Sequence, residues 1–256
     1  MGDGLDMTIH QADAPDHAPL LSNRFLARLV AVVAVLALLS GAINLLGHWY
    51  GDALLGQGET DSSHVHTVTI GQDQLKLTAN TLRFDNQRMD GALERADLYL
   101  LWPEMIGYRK EYRRRFEDVS LAGSLIFIQL TQSTMSRDMS GRLEPIYRHL
   151  FSGPPEKGPY GLTLHRLKAE SGYGNEVLLT ARRLGERDYV VRCVLPEHGA
   201  APSSGDCQRD IHVGKDLTVL YRFSSANLAD WDKIDMSIRA YIEQRLIASE
   251  PIALAR

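Results

Sequence analysis

One apolar run, FLARLVAVVAVLALLSGAINLL from Phe25 to Leu46, constrains this chain more than any other feature. Coiled as an α-helix it rises about 33 Å, the thickness of a bilayer's hydrocarbon core. The run divides a short acidic leader from some two hundred residues of foldable, polar-apolar chain. Its flanks set an orientation. Arg24 and Arg28 stand at its amino end, whereas no Lys or Arg occurs between Leu29 and Leu75. By the positive-inside rule the amino terminus is expected in the cytoplasm, with Trp49 and Tyr50 in the aromatic belt of the opposite interface. The expected location is a bacterial inner membrane, with the C-terminal domain in the periplasm. Ser40 and Ala42 offer the small residues of a signal-peptide cleavage site. The long acidic leader and the continuation of the run past Ala42 favour an uncleaved anchor instead. Ala37 and Gly41 have the small-xxx-small spacing of paired spans, and Asn44 is able to hydrogen-bond across such a pair, which offers a homodimer through the span beside simple anchoring.

Four segments follow: a disordered cytoplasmic tail (1–23), an anchor (24–50), a flexible glycine-rich linker (51–63) and a periplasmic α+β domain (64–250). The formal charge of −4 is spread thinly, since Asp3, Asp6, Asp13 and Asp16 against Arg24 and Arg28 account for half of it. Neither part is a polycation, so nucleic acid is not an expected partner.

Within the outer region the patterning predicts mostly strands. HVHTVTI and LKLTA alternate around the turn residues GQDQ, a hairpin. TLRF reads as a third extended piece, DLYLLWP as a buried strand ended by Pro103, and SLIFIQLTQ as a central strand with both faces covered. Arg142 to Phe151 places Leu143, Ile146, Tyr147 and Leu150 at helical spacing, although Pro145 suits only a first turn. GLTLHRLK, EVLLTARR, DYVVRCVL, RDIHV and LTVLYRF, separated by short turns, predict an antiparallel meander. From Leu228 onward, Trp231, Ile234, Ile238, Tyr241, Ile242 and Leu246 recur at helical spacing, with Asn227 as the expected N-cap. The expected fold class is therefore α+β: one N-terminal transmembrane helix followed by a mostly antiparallel β-sheet domain closed by a C-terminal amphipathic helix.

Cys193 ends one expected strand and Cys207 precedes the next, so in an oxidising compartment they are expected to form a structural disulfide. The spacing is not that of a C-x-x-C redox pair. The motifs of serine hydrolases, zinc proteases and P-loop enzymes are missing from the sequence. His64 and His66 share a strand face, but two ligands without a third make no metal centre. His149, His165, His198 and His212 are scattered over different elements. Asp230, Asp232 and Asp235 resemble paired carboxylates, yet acids in the first turns of a helix are favoured by its dipole anyway. No catalytic residue, cofactor or metal is assigned. One stretch, YRKEYRRRF, gathers Arg109, Lys110, Arg113, Arg114 and Arg115 among Tyr108, Tyr112 and Phe116. As a helix it would dock its aromatics and turn a basic face outward, toward lipid head groups, cell-wall carboxylates or a protein. The organisation resembles that of bitopic inner-membrane proteins. It points to an interaction or scaffold module with a protein partner in the cell envelope, ahead of an envelope enzyme acting on cell wall or lipid and a transmembrane relay.

Overall fold

The computed structural model describes residues 23–55, 58–196 and 200–247. The expected tail up to residue 22, the linker residues Gly56 and Gln57, and His198 lie outside the described residues. The chain divides into two units, Met1–Leu54 and Leu55–Arg256.

Of the first unit, α1 (Asn23–Leu55) is described. It carries the stretch Arg24–Gly47, long and apolar enough to cross a membrane by length and composition, a property that a signal sequence shares. Its apolar side chains from Phe25 to Leu46 are exposed, as a lipid-facing helix requires. The helix runs on through Trp49 and Tyr50 to Leu55, so the first residues of the expected linker are helical.

The second unit contains two sheets, a short helix α2 (Arg113–Glu117) and a longer C-terminal helix. Strands β1 (Val65–Ile70) and β2 (Asp73–Thr78) form the expected hairpin, and β3 (Gly91–Ala92) pairs parallel to β1. The larger sheet comprises β4 (Arg95–Leu101), β5 (Leu125–Gln132), β6 (Glu156–Lys157), β7 (Thr163–Arg166), β8 (Val177–Ala181), β9 (Tyr189–Cys193), β10 (Cys207–Val213) and β11 (Leu217–Phe223). Its order is β4-β5-β11-β10-β9-β8-β7-β6, with every neighbouring pair antiparallel. The meander thus runs from β6 to β11, and β5 and β4 complete the sheet beside β11.

The inner face of this sheet holds the core. Ile126, Ile128 and Leu130 of β5 and Val219, Tyr221 and Phe223 of β11 pack with Val68 and Leu75 of the hairpin and with α3 (Trp231–Glu243). Ile234, Ile238, Tyr241 and Ile242 form the buried stripe of α3, as the spacing predicts. The N-cap differs from expectation. A 3-10 turn over Ser225–Asp230 precedes α3, and Ser224 caps it by accepting from the amide of Ala226. Asn227 instead donates its side-chain amide to the Gly123 carbonyl at 2.7 Å, tying this corner to the start of β5.

The hairpin is fastened to the large sheet through two turns. Asp73 accepts from the amides of Lys215 at 3.0 Å and Asp216 at 2.9 Å, while Asp216 accepts from the amide of Gln72 at 2.9 Å. Gly214, at φ +70°, lets the β10–β11 turn come this close, because a Cβ there would meet an Asp73 carboxylate oxygen at 2.5 Å.

Two local expectations are corrected. TLRF is not a strand: Leu82 makes only an isolated bridge to Leu98, between two 3-10 turns. Arg142–Phe151 is not an α-helix but two 3-10 turns, Ser140–Arg142 and Tyr147–Leu150, on either side of Pro145. Ile146 faces solvent, and Tyr147 is buried with Met139 against Leu178 and Val190. The apolar spacing there records a chain draped over the sheet, not helical periodicity.

Candidate functional site

Register places side chains from distant strands in rows on the outer face of the large sheet. Tyr99, Phe127, Arg222 and Gln208 make one row; Asp97, Gln129, Leu220 and Asp210 make the next. At the β8–β10 side this face is covered by the draped segment, where Arg142 forms an ion pair with Asp210 and the Met139–Tyr147 cluster packs down. At the opposite corner Tyr99 is covered by Phe116, their ring centroids 5.1 Å apart, and Phe116 in turn meets Tyr108 at 5.3 Å. Between these covers the face is open, and a cleft of about 410 Å³ remains above β4, β5 and β11. That volume lies within the range of small-ligand sites.

Phe127 and Gln129 form the cleft floor, with Asp97 and Leu220 on either side. Arg83 closes one side, its guanidinium carbon 5.2 Å from the ring centroids of both Phe84 and Phe127. Arg222 of β11, the register partner of Phe127 on β5, stands on the other. The loop Ser203–Gly205 forms the end wall. Asp206 holds this loop in place, accepting from Ser203 through one carboxylate oxygen and from the amide and hydroxyl of Ser225 at 3.2 and 2.7 Å through the other. Just beyond, Cys193 and Cys207 face each other in register across β9 and β10, with sulfurs 2.08 Å apart.

The electrostatics of the cleft are asymmetric. Among the described residues neither Arg83 nor Arg222 is in an ion pair, whereas Asp97 is partnered by Arg95 at 2.7 Å and by the Gln87 amide at 2.8 Å. A second recess of about 130 Å³ adjoins the cleft, sharing Arg83 and Phe127 and reaching Tyr99, Phe116 and Glu59. Tyr99 is only 6% exposed, and its hydroxyl has no hydrogen-bond partner among the described residues. Burial, with the Glu59 carboxylate nearby, pushes the Tyr99 phenol up to about 12, so it stays protonated and able to donate. Burial also raises the Glu59 carboxyl.

The residues singled out by the sequence lie elsewhere. Tyr108–Phe116 holds a 3-10 turn, Lys110–Tyr112, followed by the short helix α2 (Arg113–Glu117). Tyr108 and Phe116 dock, but Tyr112 remains 38% exposed. Carboxylates interleave with the cations: Lys110 pairs with Asp61 at 3.1 Å, Arg113 with Glu117 at 2.6 Å, Arg114 with Asp118 at 3.4 Å and Arg115 with Glu104 at 2.7 Å. Arg109 is exposed and is in no ion pair among the described residues. The His64 and His66 rings lie 4.7 Å apart, yet no group of three His, Cys, Asp or Glu side chains able to hold a metal occurs among the described residues. Ser133 Oγ and His212 Nε2 are 3.1 Å apart, but the Ser133 hydroxyl also reaches the Met135 carbonyl at 2.8 Å. Among the described residues no carboxylate orients His212, so this pair lacks the third member of a nucleophilic triad.

The three aspartates of α3 separate. Asp230 pairs with exposed Lys233, and Asp232 with Arg183, but Asp235 is buried and accepts from Arg209 at 2.9 Å, Arg183 at 2.6 Å and the Tyr221 hydroxyl at 2.6 Å. Burial alone would raise its carboxyl; Arg209 beside it, with Tyr221 and Arg183, holds it below the ordinary carboxylate range. Its partners are structural, so Asp235 fastens α3 to the sheet.

Arg83, Phe127, Gln129 and Arg222 escaped the sequence reading. The available signal was Gln129, an amide in the middle of a strand otherwise read as covered on both faces, which marks an outer face left open. No protein-family model matches this chain, and no curated protein matches it. Two solved structures are similar to it. One is an immunity protein of the Stenotrophomonas maltophilia type IV secretion system, 16% identical with a TM-score of 0.49, the match covering 73% of this chain and 94% of that one. The other is the Neisseria meningitidis iron-regulated outer membrane lipoprotein FrpD, 11% identical with a TM-score of 0.41, the match covering 75% of this chain and 95% of that one.

Proposed function

We propose that this protein is a membrane-tethered interaction module of the bacterial cell envelope. Its amino terminus is cytoplasmic, α1 is its single span in the inner membrane, and its α+β domain binds a protein partner in the periplasm. The observation that carries this reading is the open part of the sheet's outer face: a cleft with an aromatic floor, two arginines and a loop wall held by Asp206. A surface of this kind, apolar at its centre with polar groups around it, suits docking of a protein segment. The apolar length of α1 and the arginine-only flank at its start support the anchor and its orientation. Ala37, Gly41 and Asn44 support a homodimer through the span as a secondary association. The cations of α2 are a less suitable contact, because Glu104, Glu117 and Asp118 neutralise them locally.

Site-specific photo-cross-linking in native membranes tests the reading. A photoreactive residue at Gln129 or Ser204 is expected to give a discrete heterologous adduct, while one at exposed Tyr160, outside the cleft, gives none. Recovery of the protein alone from both cleft positions overturns the docking role.

A further inference from the structure

The cleft has a chemistry more specific than a docking surface requires. Arg83 lies over the Phe127 ring and Arg222 stands opposite the same residue in register, so two guanidiniums flank one aromatic floor. Neither is in an ion pair among the described residues, and the carboxylate that lines the cleft, Asp97, is engaged by Arg95 and Gln87. Guanidiniums present planar donor forks that match a carboxylate, and they are more weakly hydrated than ammonium groups.

Resting on the docking role above, we propose that the cleft recognises a glutamate-bearing segment of a partner protein. The glutamate carboxylate sits between Arg83 and Arg222, and its methylenes lie against Phe127. Gln129 and Ser204 then offer polar contacts to the backbone of that segment. The choice of an acidic peptide follows from charge complementarity and from the floor, since an apolar ring between two cations favours a carboxylate on a short hydrocarbon arm over a fully hydrated anion.

The test uses the full chain in nanodiscs and a fluorescein-labelled hexapeptide rich in glutamate, read by anisotropy at low and moderate salt. The peptide is expected to bind, and its glutamine isostere to bind at least about tenfold more weakly, the loss expected for charge-assisted hydrogen bonds. Arg83→Gln and Arg222→Gln, both at exposed positions, are each expected to weaken binding by a similar factor. Gln129→Glu should do the same by placing a like charge on the floor, without touching either arginine. Arg114→Gln, on the α2 surface, should change nothing. Equal binding of the two peptides, or equal effects of Arg114→Gln and the cleft variants, overturns the proposal. Saturable binding of inorganic phosphate without binding of the glutamate peptide overturns it as well.

The cross-linking experiment separates the two levels. An adduct from Gln129 that persists in Arg83→Gln and Arg222→Gln overturns the glutamate chemistry and leaves docking intact. Arginine-dependent peptide binding without any adduct supports the anion site and overturns docking.

Discussion

Asp235 carries a negative charge into the space between α3 and the sheet, and Arg209, Arg183 and Tyr221 converge on it. Arg209 is itself buried and also donates to the Val190 carbonyl at 2.8 Å and to Ser140 at 2.9 Å, so the carboxylate links α3, β9, β10 and the draped segment. Replacing it leaves a buried cation without its counter-charge, and Asp235→Asn is expected to cost about 3 to 5 kcal/mol in urea unfolding at pH 7. The pH dependence follows from the lowered carboxyl. Its contribution is fully present above the unfolded carboxylate value, about 4, and is lost as pH falls through the lower folded value. The wild type should therefore lose stability in that acid window, and Asp235→Asn should show a shallower loss. Parallel acid profiles, or a loss at pH 7 below about 1 kcal/mol, would mean that Asp235 does not anchor the helix. None of this was legible in the sequence, where Asp235 reads with Asp230 and Asp232 as one of three acids near the start of a helix, favoured there whether or not they are buried.

At the scale of elements, the strands were legible because each has one face toward the core, and alternation reports that directly. The hairpin and the five-strand meander follow from it, and the stripe of α3 follows from helical spacing in the same way; β5, apolar on both faces, was legible as a strand but not as one with an open outer face. Where the period arises from something else, the same rule misleads: Leu143, just past one 3-10 turn, and Tyr147 and Leu150, in the next, pack with the cluster on the sheet without forming an α-helix. The cysteines join neighbouring strands β9 and β10 across a sequence separation of 14, with Cα atoms 4.1 Å apart. A loop of that length closed in the unfolded chain is worth about 3 kcal/mol. The double variant Cys193→Ser, Cys207→Ser is expected to lower unfolding free energy by about that amount. Because Asp206 pins the 203–205 loop to Ser225 independently, cleft binding should persist in this variant wherever it remains folded. A binding loss without a stability loss would assign the cysteines to the cleft wall instead.

For the whole molecule, the proposed arrangement is a domain tethered outside the membrane by α1, and it has a direct check. Proteinase K added to spheroplasts should digest the domain and leave a protected fragment carrying an amino-terminal epitope tag. Digestion of the tag with the domain protected would reverse the orientation, and release of the untagged domain into the periplasm would make α1 a cleaved signal sequence.

The sequence by itself determined the spanning-length helix, most of the strands and the closing helix. These depend on short-range periodicity and composition, which any window of the chain displays. The cleft was decided by tertiary structure alone. Arg83 comes from an irregular segment after the hairpin, Phe127 from β5 and Arg222 from β11, and they meet because β5 pairs with β11 and the draped segment stops short of them. Periodicity tells which side of a strand faces the core; strand order and register determine which residues become neighbours on the other side.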